Sequence, residues 1–124
     1  DILGVMECCV VGTLDQIKVE YDDNAAVCVI LASNGYPVKY DKGFPITGLD
    51  DPRFDGKEYF CFHSGTKFAD DGKTILTNGG RVLGITAIGK DLNEARSKAY
   101  AATDWVNFEN KYMRHDIGHA IDEV

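Results

Sequence analysis

The sequence lacks an excess of positive charge and lacks a long apolar run. Its 124 residues carry a formal net charge of −7, and an acidic chain of this kind has no electrostatic attraction for nucleic acid. The longest uninterrupted apolar stretch is "AAVCVILA", residues 25–32, which is far too short to span a bilayer. We therefore expect neither nucleic acid nor a membrane among the partners of this chain.

Cysteine is present, but it is not spaced as a metal site or a disulfide framework requires. The chain has four cysteines, none of them in a CxxC pair: Cys8, Cys9, Cys28 and Cys61. Three of the four stand in apolar surroundings. We expect all of them to be reduced thiols in the core of a cytoplasmic protein, with a zinc site or a disulfide framework as the alternative.

The histidines also lack a metal-binding arrangement. His115 and His119 have the i, i+4 spacing of one helical turn. However, neither an HExxH pattern nor a cysteine cluster accompanies them. We therefore predict no metal site in this chain.

The periodicity of the apolar residues predicts an α+β domain. Helical spacing over residues 2–10 predicts a short N-terminal helix that ends at Gly12. Alternation in "QIKVEY" predicts a half-exposed strand, whereas the unbroken apolar stretch at residues 25–32 predicts a strand covered on both faces. Further strand-like stretches occur at residues 58–65, 74–77 and 82–88. We expect a mostly antiparallel sheet or half-barrel with one long packed helix.

The long helix is the most strongly marked element of the sequence. It is predicted within "KDLNEARSKAYAATDWVNFEN", residues 90–110. Asp91 is its predicted N-cap, and Glu94 is placed to close a capping box. Its predicted buried stripe consists of Leu92, Ala95, Ala99, Ala102 and Val106.

The first candidate site follows the buried strand directly. Residues 32–40, "ASNGYPVKY", open a segment, residues 34–55, that holds all three prolines of the chain. That segment is predicted as a long ordered loop or a set of short edge strands. Loops that leave a core strand often present ligand-binding groups. A glycine turn with a structural Tyr-Pro is the plainer interpretation, and the spacing alone favours it.

The second candidate is "FHSGTK", residues 62–67, in which a His, a Ser and a Lys are close in sequence. Nucleophilic catalysis needs a base and an orienting group beside the nucleophile. The sequence places no second base and no orienting carboxylate here. We therefore interpret His63 as a structural residue at a strand end and expect no catalysis.

The third candidate is "TNGGRVLGITAIG", residues 77–89, where an arginine joins a glycine turn to a β-branched strand. Asn78, Gly79 and Gly80 suit backbone at positive φ or the close approach of a ligand. The planar guanidinium of Arg81 matches carboxylate or phosphate with two parallel hydrogen bonds, and the glycine N–H groups are placed to assist an anion. An arginine whose stem packs on the sheet and whose head pairs with an acid is an equal alternative.

Five stretches, taken together in this order, resemble the C-terminal region of the phosphoribosylamine–glycine ligase family. They are "AAVCVILASNGYPVKYDKGFPITGL", "FHSGTK", "TNGGRVLGITAIG", "EARSKAYAA" and "YMRHDIGH", and they extend the resemblance over nearly the whole chain. Each motif alone is weak, but five in register are specific. One departure is visible, because the turn reads "ASNGYP" where relatives often read Ser-Gly-Gly-Tyr-Pro. We expect Asn34 to preserve the turn because it tolerates positive φ.

The resemblance implies an enzyme of the ATP-grasp superfamily that acts in de novo purine synthesis. In such a ligase ATP phosphorylates the carboxylate of glycine, and the amine of 5-phosphoribosylamine attacks the glycyl phosphate. The products are glycinamide ribonucleotide, ADP and phosphate, and Mg²⁺ or Mn²⁺ is required. The implied architecture has an N-terminal domain, a central ATP-grasp domain with a mobile lid, and a C-terminal domain that closes one wall of the active site.

The resemblance divides this chain into two parts. Residues 1–22 correspond to the tail of the ATP-grasp domain and a connecting strand, and residues 23–124 correspond to the C-terminal domain. No segment matches the metal-binding acids, the nucleotide-binding lysine or the lid of the family. We therefore expect no catalytic residue here, no binding of ATP or metal by this chain alone, and a need for the N-terminal and ATP-grasp domains. The start at Asp1, without an initiator methionine or a signal segment, indicates a fragment or a processed product.

The predicted substrate-binding residues come from the first and third candidate stretches. Arg81 is suited to hold the phosphate or ribose side of a phosphorylated sugar amine, because such a ligase works largely by positioning and fixed charge. The alternative functions are a stand-alone module that binds an anion or a partner chain, and a purely structural domain of a multifunctional enzyme. The predicted site comprises Asn34, Gly35, Tyr36, Pro37, Asn78, Gly79, Gly80 and Arg81.

Overall fold

The computed structural model describes residues 1–119, so that residues 120–124 of the predicted C-terminal domain lie outside the described part. The helices are α1 (Ile2–Val11) and α2 (Leu92–Ala102), with single 3₁₀ turns at Leu14–Gln16 and Thr103–Trp105. The strands are β1 (Ala25–Ser33), β2 (Tyr59–His63), β3 (Thr66–Phe68), β4 (Ile75–Thr77), β5 (Arg81–Gly89) and β6 (Lys111–Tyr112). The predicted α+β class is confirmed.

The two longest strands, β1 and β5, form the centre of an antiparallel sheet. The strand order is β2-β5-β1-β6, and β3 pairs with β4 in a separate two-stranded sheet. The pairing of β1 with β5 runs from Ala25 opposite Gly89 to Ala32 opposite Arg81, with a shift of register after Leu31. The extra residue of this bulge is Val82, and bulges of this kind re-aim the side chains beyond them.

Helix α2 covers one face of this sheet, and the core lies between them. The side chains that point toward α2 are buried at alternating positions, namely Val27, Val29 and Leu31 on β1 and Leu83, Ile85 and Ala87 on β5. The helix residues that are fully buried against them are all small, namely Ala95, Ala99 and Ala102. A Cβ at Gly89 would lie 2.5 Å from the Ala95 nitrogen, so the helix start lies directly against the end of β5.

The predicted start of α2 is confirmed, whereas its predicted end is wrong. The Asp91 carboxylate accepts from the Glu94 N–H at 2.8 Å, and the Glu94 carboxylate accepts from the Lys90 N–H at 3.2 Å. The helix ends at Ala102, because the chain then tightens into the 3₁₀ turn Thr103–Trp105. Two members of the predicted stripe therefore differ from expectation. Leu92 is 42% exposed at the first turn, and Val106 is buried but lies beyond the helix.

The predicted strand at residues 16–21 is wrong. The segment contains the end of a 3₁₀ turn and then irregular chain, and none of the described strands pairs with it. Its alternating apolar residues remain partly or largely exposed, with Ile17 at 37%, Val19 at 40% and Tyr21 at 88%. Alternation shows which face a strand would bury, but a strand also needs a neighbour for its backbone hydrogen bonds.

The cysteines do not lie in the core, so that prediction is wrong as well. All four are free thiols, with Cys9 and Cys28 exposed and Cys8 and Cys61 half-buried. Cys28 is exposed because even-numbered residues of β1 point away from α2; strand β1 is therefore not covered on both faces along its length. Burial raises the pKa of the Cys61 thiol to about 11.

Helix α1 stands apart from this core. It begins at an Asp1 cap and ends at Gly12, whose φ of 76° is the left-handed conformation expected there. None of its residues is buried, and Ile2, Leu3 and Met6 each expose more than half of their surface. Within residues 1–119 the helices are all too short, or not apolar enough, to cross a membrane.

The loop at residues 34–55 is ordered, as predicted. Pro45 forms an isolated bridge with Leu76, and Thr47 forms another with Asn107. The bidentate ion pair of Arg53 with Asp51 and the stacking of Arg53 at 4.0 Å from the Trp105 ring centre hold its far end. These contacts hold the loop against β4 at Leu76 and against the segment 105–107 that follows α2.

Candidate functional site

The two glycine turns predicted as binding segments meet at the end of β1. The Ser33 N–H donates to the Gly80 carbonyl at 2.8 Å, and the Ser33 hydroxyl donates to the Gly79 carbonyl at 2.9 Å. Ser33 is fully buried, and buried polar groups are costly unless they are paired. These two bonds therefore fix the Gly79-Gly80 turn against the strand that leads into the Tyr36 turn.

The glycines are required here for close approach. Neither Gly79 nor Gly80 has a positive φ. A Cβ at Gly80 would lie 1.8 Å from the Cδ2 of Tyr36, and a Cβ at Gly79 would lie 2.9 Å from the Cα of Gly65. The prediction of positive φ is therefore wrong for Gly79 and Gly80, and the close contacts that require glycine there are with groups of the same chain.

The Tyr36 turn depends on one glycine with a left-handed backbone. Gly35 has a φ of 94°, and a Cβ there would lie 2.0 Å from the Lys39 carbonyl oxygen. Asn34 is not at positive φ, contrary to our expectation, and its N–H donates to the Asn110 carbonyl at 2.9 Å. The Asn34 position therefore does not require a glycine, and the turn is preserved for a different reason from the predicted one.

Arg81 stands at the first position of β5, opposite Ala32. Because Ala32 is an even-numbered residue of β1, the register places Arg81 on the sheet face that is opposite α2. Its side chain is exposed, and its guanidinium makes no hydrogen bond or ion pair with any residue in 1–119. The alternative in which Arg81 is paired with an acid is therefore not what the described chain shows.

Arg81 and Tyr36 line the same cleft, which has a volume of about 380 Å³. The cleft lies at the end of the sheet where β1, β5 and β6 meet. Its walls are mainly apolar, and its remaining lining residues are Ile30, Ala32, Tyr112, Met113, Arg114 and Ile117. An apolar cleft with a few charged groups at its edge is the usual form of a small-ligand site.

The far wall of the cleft is held in place by helix α2. The Tyr100 hydroxyl donates to the Arg114 carbonyl at 3.0 Å and accepts from the Ile117 N–H at 2.9 Å. The Tyr100 ring also stacks on His115 with 6.5 Å between ring centres. One side chain from the core helix thus fixes the segment 114–117.

The two arginines of the cleft differ in their pairing. Arg114 donates to the Asp116 carboxylate through Nε at 2.9 Å and through Nη2 at 2.5 Å. These hydrogen bonds lower the pKa of Asp116 and raise the pKa of Arg114. The charge of Arg114 is therefore already satisfied by Asp116, whereas Arg81 has no such partner within residues 1–119 and is available to an anion.

The predicted site residues fall into two groups. Tyr36 and Arg81 face the cleft, and Gly80 lies against the Tyr36 ring. Gly35 and Gly79 shape the two turns. Asn34, Pro37 and Asn78 do not line the cleft, and the Asn78 N–H donates to the Gly65 carbonyl at 2.7 Å. The role of the whole set in substrate binding stays a prediction.

Sequence reasoning missed the far wall of the cleft. Met113, Arg114 and Ile117 lie within "YMRHDIGH", which carries the family resemblance but contains no residue of the predicted site. The sequence does contain one signal for this wall. Arg114 and Asp116 are opposite charges at i, i+2 spacing, which is typical of a short ordered turn. The contact of Tyr100 with this turn cannot be read from the sequence spacing.

The described residues do not fit a catalytic metal ion. Within residues 1–119 no group of three or more His, Cys, Asp or Glu side chains is close enough to hold one. Mg²⁺ and Mn²⁺ require several oxygen ligands around one point. We therefore derive no metal-dependent step from this chain.

Comparison with known proteins places this domain in a family. The chain matches the family model for "Phosphoribosylglycinamide synthetase, C domain" over residues 26–120. It is 48% identical over 117 residues to a phosphoribosylamine–glycine ligase from Caldanaerobacter subterraneus subsp. tengcongensis, covering 94% of this chain and 27% of that relative. It is 40% identical over 118 residues to the chloroplastic enzyme of that name from Arabidopsis thaliana, covering 95% of this chain and 22% of the relative.

A solved structure shows the same fold. The crystal structure of phosphoribosylamine–glycine ligase from Thermotoga maritima superimposes with a TM-score of 0.70 at 36% sequence identity. The match covers 90% of this chain and 27% of that chain. The sheet with its single packed helix is thus the fold of a ligase domain. The chain belongs to the phosphoribosylglycinamide synthetase C domain family, and it spans about a quarter of the length of these relatives.

Proposed function

We propose that this chain is the C-terminal domain of a phosphoribosylamine–glycine ligase of the ATP-grasp superfamily. The complete enzyme joins glycine to 5-phosphoribosylamine, and ATP is converted to ADP and phosphate. The family match, the relatives that carry this name and the TM-score of 0.70 support the assignment. A cytoplasmic location is part of the proposal, although the Arabidopsis thaliana relative is named as chloroplastic.

The main support for the role of this domain is the guanidinium of Arg81, which has no hydrogen-bond or ion-pair partner within residues 1–119 and lies in the cleft beside Tyr36. A guanidinium that has no acidic partner in the described chain is available to form two parallel hydrogen bonds with a phosphate group. The Gly80 contact holds the Tyr36 ring beside it. The cleft therefore combines an apolar wall with a positive charge that is unpaired among residues 1–119, and this combination suits a sugar phosphate.

The contribution of the domain to the reaction is binding and orientation. In the proposed ligase the amine of phosphoribosylamine must reach a glycyl phosphate. Fixing the phosphate end of the sugar with Arg81 limits the positions that the amine can take, and such positioning accounts for a large part of catalysis in bimolecular reactions. The domain also closes the site against water, which would otherwise compete with the amine for the acyl phosphate.

ATP and the metal ion are assigned to the remainder of the complete enzyme. The donor groups that Mg²⁺ or Mn²⁺ needs are not assembled within residues 1–119. In this proposal residues 1–22, with α1, belong structurally to the preceding ATP-grasp domain, and residues 23–124 form the C-terminal domain. The partners of this chain are then the N-terminal and ATP-grasp domains of the same polypeptide.

The reaction is tested with the complete polypeptide that contains this chain. ADP release is measured with ATP, Mg²⁺, glycine and freshly prepared phosphoribosylamine, and then with each substrate omitted in turn. We expect ADP release that requires both glycine and phosphoribosylamine, and we expect none above background from the 124-residue chain. A complete gene product of this length, without an ATP-grasp segment and without activity, would instead indicate a stand-alone anion- or partner-binding module.

A further inference from the structure

The sheet face opposite α2 is apolar up to its end at Arg81. We call it the outer face, and it consists of the residues whose side chains alternate away from the core: Ala26, Cys28, Ile30, Phe60, Phe62, Gly84, Thr86 and Ile88. An antiparallel sheet with one face in water normally carries polar residues on that face. The outer face has one hydroxyl and no charged residue among these positions, so it has the composition of a covered surface.

The side chains of the outer face also contact one another and form one continuous apolar surface. A Cβ at Gly84 would lie 3.0 Å from the Cys28 sulfur, 3.7 Å from Ile30 Cδ1 and 3.9 Å from Phe62 Cβ. These three side chains therefore converge over a glycine at the centre of the sheet. Phe60 and Phe62 stack beside them with ring centres 5.6 Å apart, although Phe62 is 55% exposed. Contiguous exposed apolar patches of this kind mark interaction sites.

The outer face is continuous with the substrate cleft. Ile30 belongs to both, and Arg81 stands on the same side of the sheet, opposite Ala32. The cleft is open to solvent on one side, so enclosing a bound substrate requires a further protein surface on that side. Because the cleft is continuous with the outer face, the protein surface that closes the cleft must also contact the outer face.

We propose that the outer face is the docking surface for the remaining domains of the same ligase polypeptide. The proposal rests on the proposed function. The relatives extend well beyond this chain, which covers 27% of their length, so the complete enzyme has ample chain to cover the face. A second copy of this chain is a poorer occupant, because each copy has a formal net charge of −7 and Arg81, at the cleft end of the face, supplies only a single positive charge against that repulsion.

The thiol of Cys28 reports on this docking directly. Cys28 is exposed in the 124-residue chain and sits at the centre of the outer face. Iodoacetamide labelling, followed by mass spectrometry of the Cys28 peptide, is compared between this chain and the complete ligase. We expect labelling of Cys28 to be at least about tenfold slower in the complete ligase. The thiol of a docked surface is accessible to iodoacetamide only when the domains separate transiently. Equal rates in the two proteins would overturn the proposal.

A matched pair of substitutions identifies the surface. Phe62→Asp places a charge on the outer face, whereas Phe68→Asp places the same charge at an aromatic residue of β3 that is 66% exposed, compared with 55% for Phe62. In the complete ligase Phe62→Asp should restore rapid labelling of Cys28, and Phe68→Asp should leave it protected. Protection that survives Phe62→Asp would contradict docking on this face.

Two further outcomes separate the alternatives. If Cys28 of the 124-residue chain becomes protected with rising protein concentration while the measured mass doubles, the occupant is a second copy and the proposal is wrong. The labelling experiment does not use activity as its readout. A complete polypeptide that protects Cys28 but fails to release ADP would therefore refute the proposed function and leave the docking surface intact.

Discussion

Gly80 lies so close to the ring of Tyr36 that a Cβ at Gly80 would come within 1.8 Å of the ring atom Cδ2. Neither residue's backbone has a positive φ, so the contact and not the conformation is what requires glycine. The backbone at Gly80 is held by the buried Ser33, whereas the Tyr36 ring is 41% exposed. A side chain introduced at Gly80 would therefore displace the ring and leave the turn in place.

The first prediction follows from this contact. Gly80→Ala in the complete ligase should lower kcat/KM for phosphoribosylamine by about ten- to a hundredfold, because the displaced ring no longer orients the substrate. Ser97→Ala is the control, since Ser97 is an exposed residue of α2 that does not line the cleft. Steady-state kinetics with phosphoribosylamine varied would measure both variants. Unchanged kinetics for Gly80→Ala would show that the Tyr36 ring has no role in the cleft.

The second prediction concerns Tyr100, which holds the far wall of the cleft. Tyr100→Phe removes a donor to the Arg114 carbonyl and an acceptor for the Ile117 N–H. We expect a loss of about 1–3 kcal/mol in the free energy of unfolding, because the part-buried Ile117 N–H is left without its partner. Urea unfolding of the chain measures it. The control is Tyr21→Phe, at a tyrosine that is 88% exposed, and equal effects at both positions would contradict the prediction.

The third prediction is a pH effect at the tip of the long loop. Hydrogen bonds from Arg53 lower the pKa of Asp51 from 3.8 to about 2. Because the pKa is depressed in the folded chain, the stabilisation from this pair is present above pH 3.8 and is lost as the pH falls toward 2. Arg53→Gln should raise the Asp51 pKa in an NMR titration, although the backbone N–H of residue 53 still donates to the carboxylate and keeps the pKa below its ordinary value. Asp55, whose pKa is lowered by backbone N–H groups, should keep its depressed value in the same variant.

The fourth prediction tests the proposal that α1 belongs to the preceding domain. Residues 2–11 have no buried member in this chain, whereas α2 is packed on the sheet. A helix of this length is marginal without a partner surface. Hydrogen exchange of the 124-residue chain should therefore find residues 2–11 much less protected than residues 92–102. Equal protection of the two helices would show that α1 is stable without the other domains.

The elements that could be predicted from sequence are those whose local pattern agrees with their tertiary contacts. Strands β1 and β5 are apolar runs that pair with each other, and α2 has both a cap and a small-residue stripe. Residues 16–21 show the limit of this reasoning. Their alternation is as regular as that of a real strand, but no described strand offers them a partner.

Only the part of the candidate site that depends on local sequence could be predicted. The turn chemistry of Gly35, Gly80 and Arg81 is local and can be read from the sequence. The face on which Arg81 lies depends on the bulge at Val82, which no local pattern indicates. The far wall depends on Tyr100 reaching across to the segment 114–117, a contact between residues that are distant in sequence. Both features require the tertiary structure.

The most direct test of the account is the kinetic effect of Arg81→Lys and Arg81→Ala in the complete ligase. Arg81→Lys keeps the charge but loses the two-pronged geometry, so kcat/KM for phosphoribosylamine should fall by about ten- to a hundredfold, which corresponds to about 1.5–3 kcal/mol. Arg81→Ala should be more severe. The KM for ATP and the thermal midpoint should change little in either variant, because the guanidinium has no partner within residues 1–119. An Arg81→Ala enzyme that is stable and fully active with phosphoribosylamine would contradict the account.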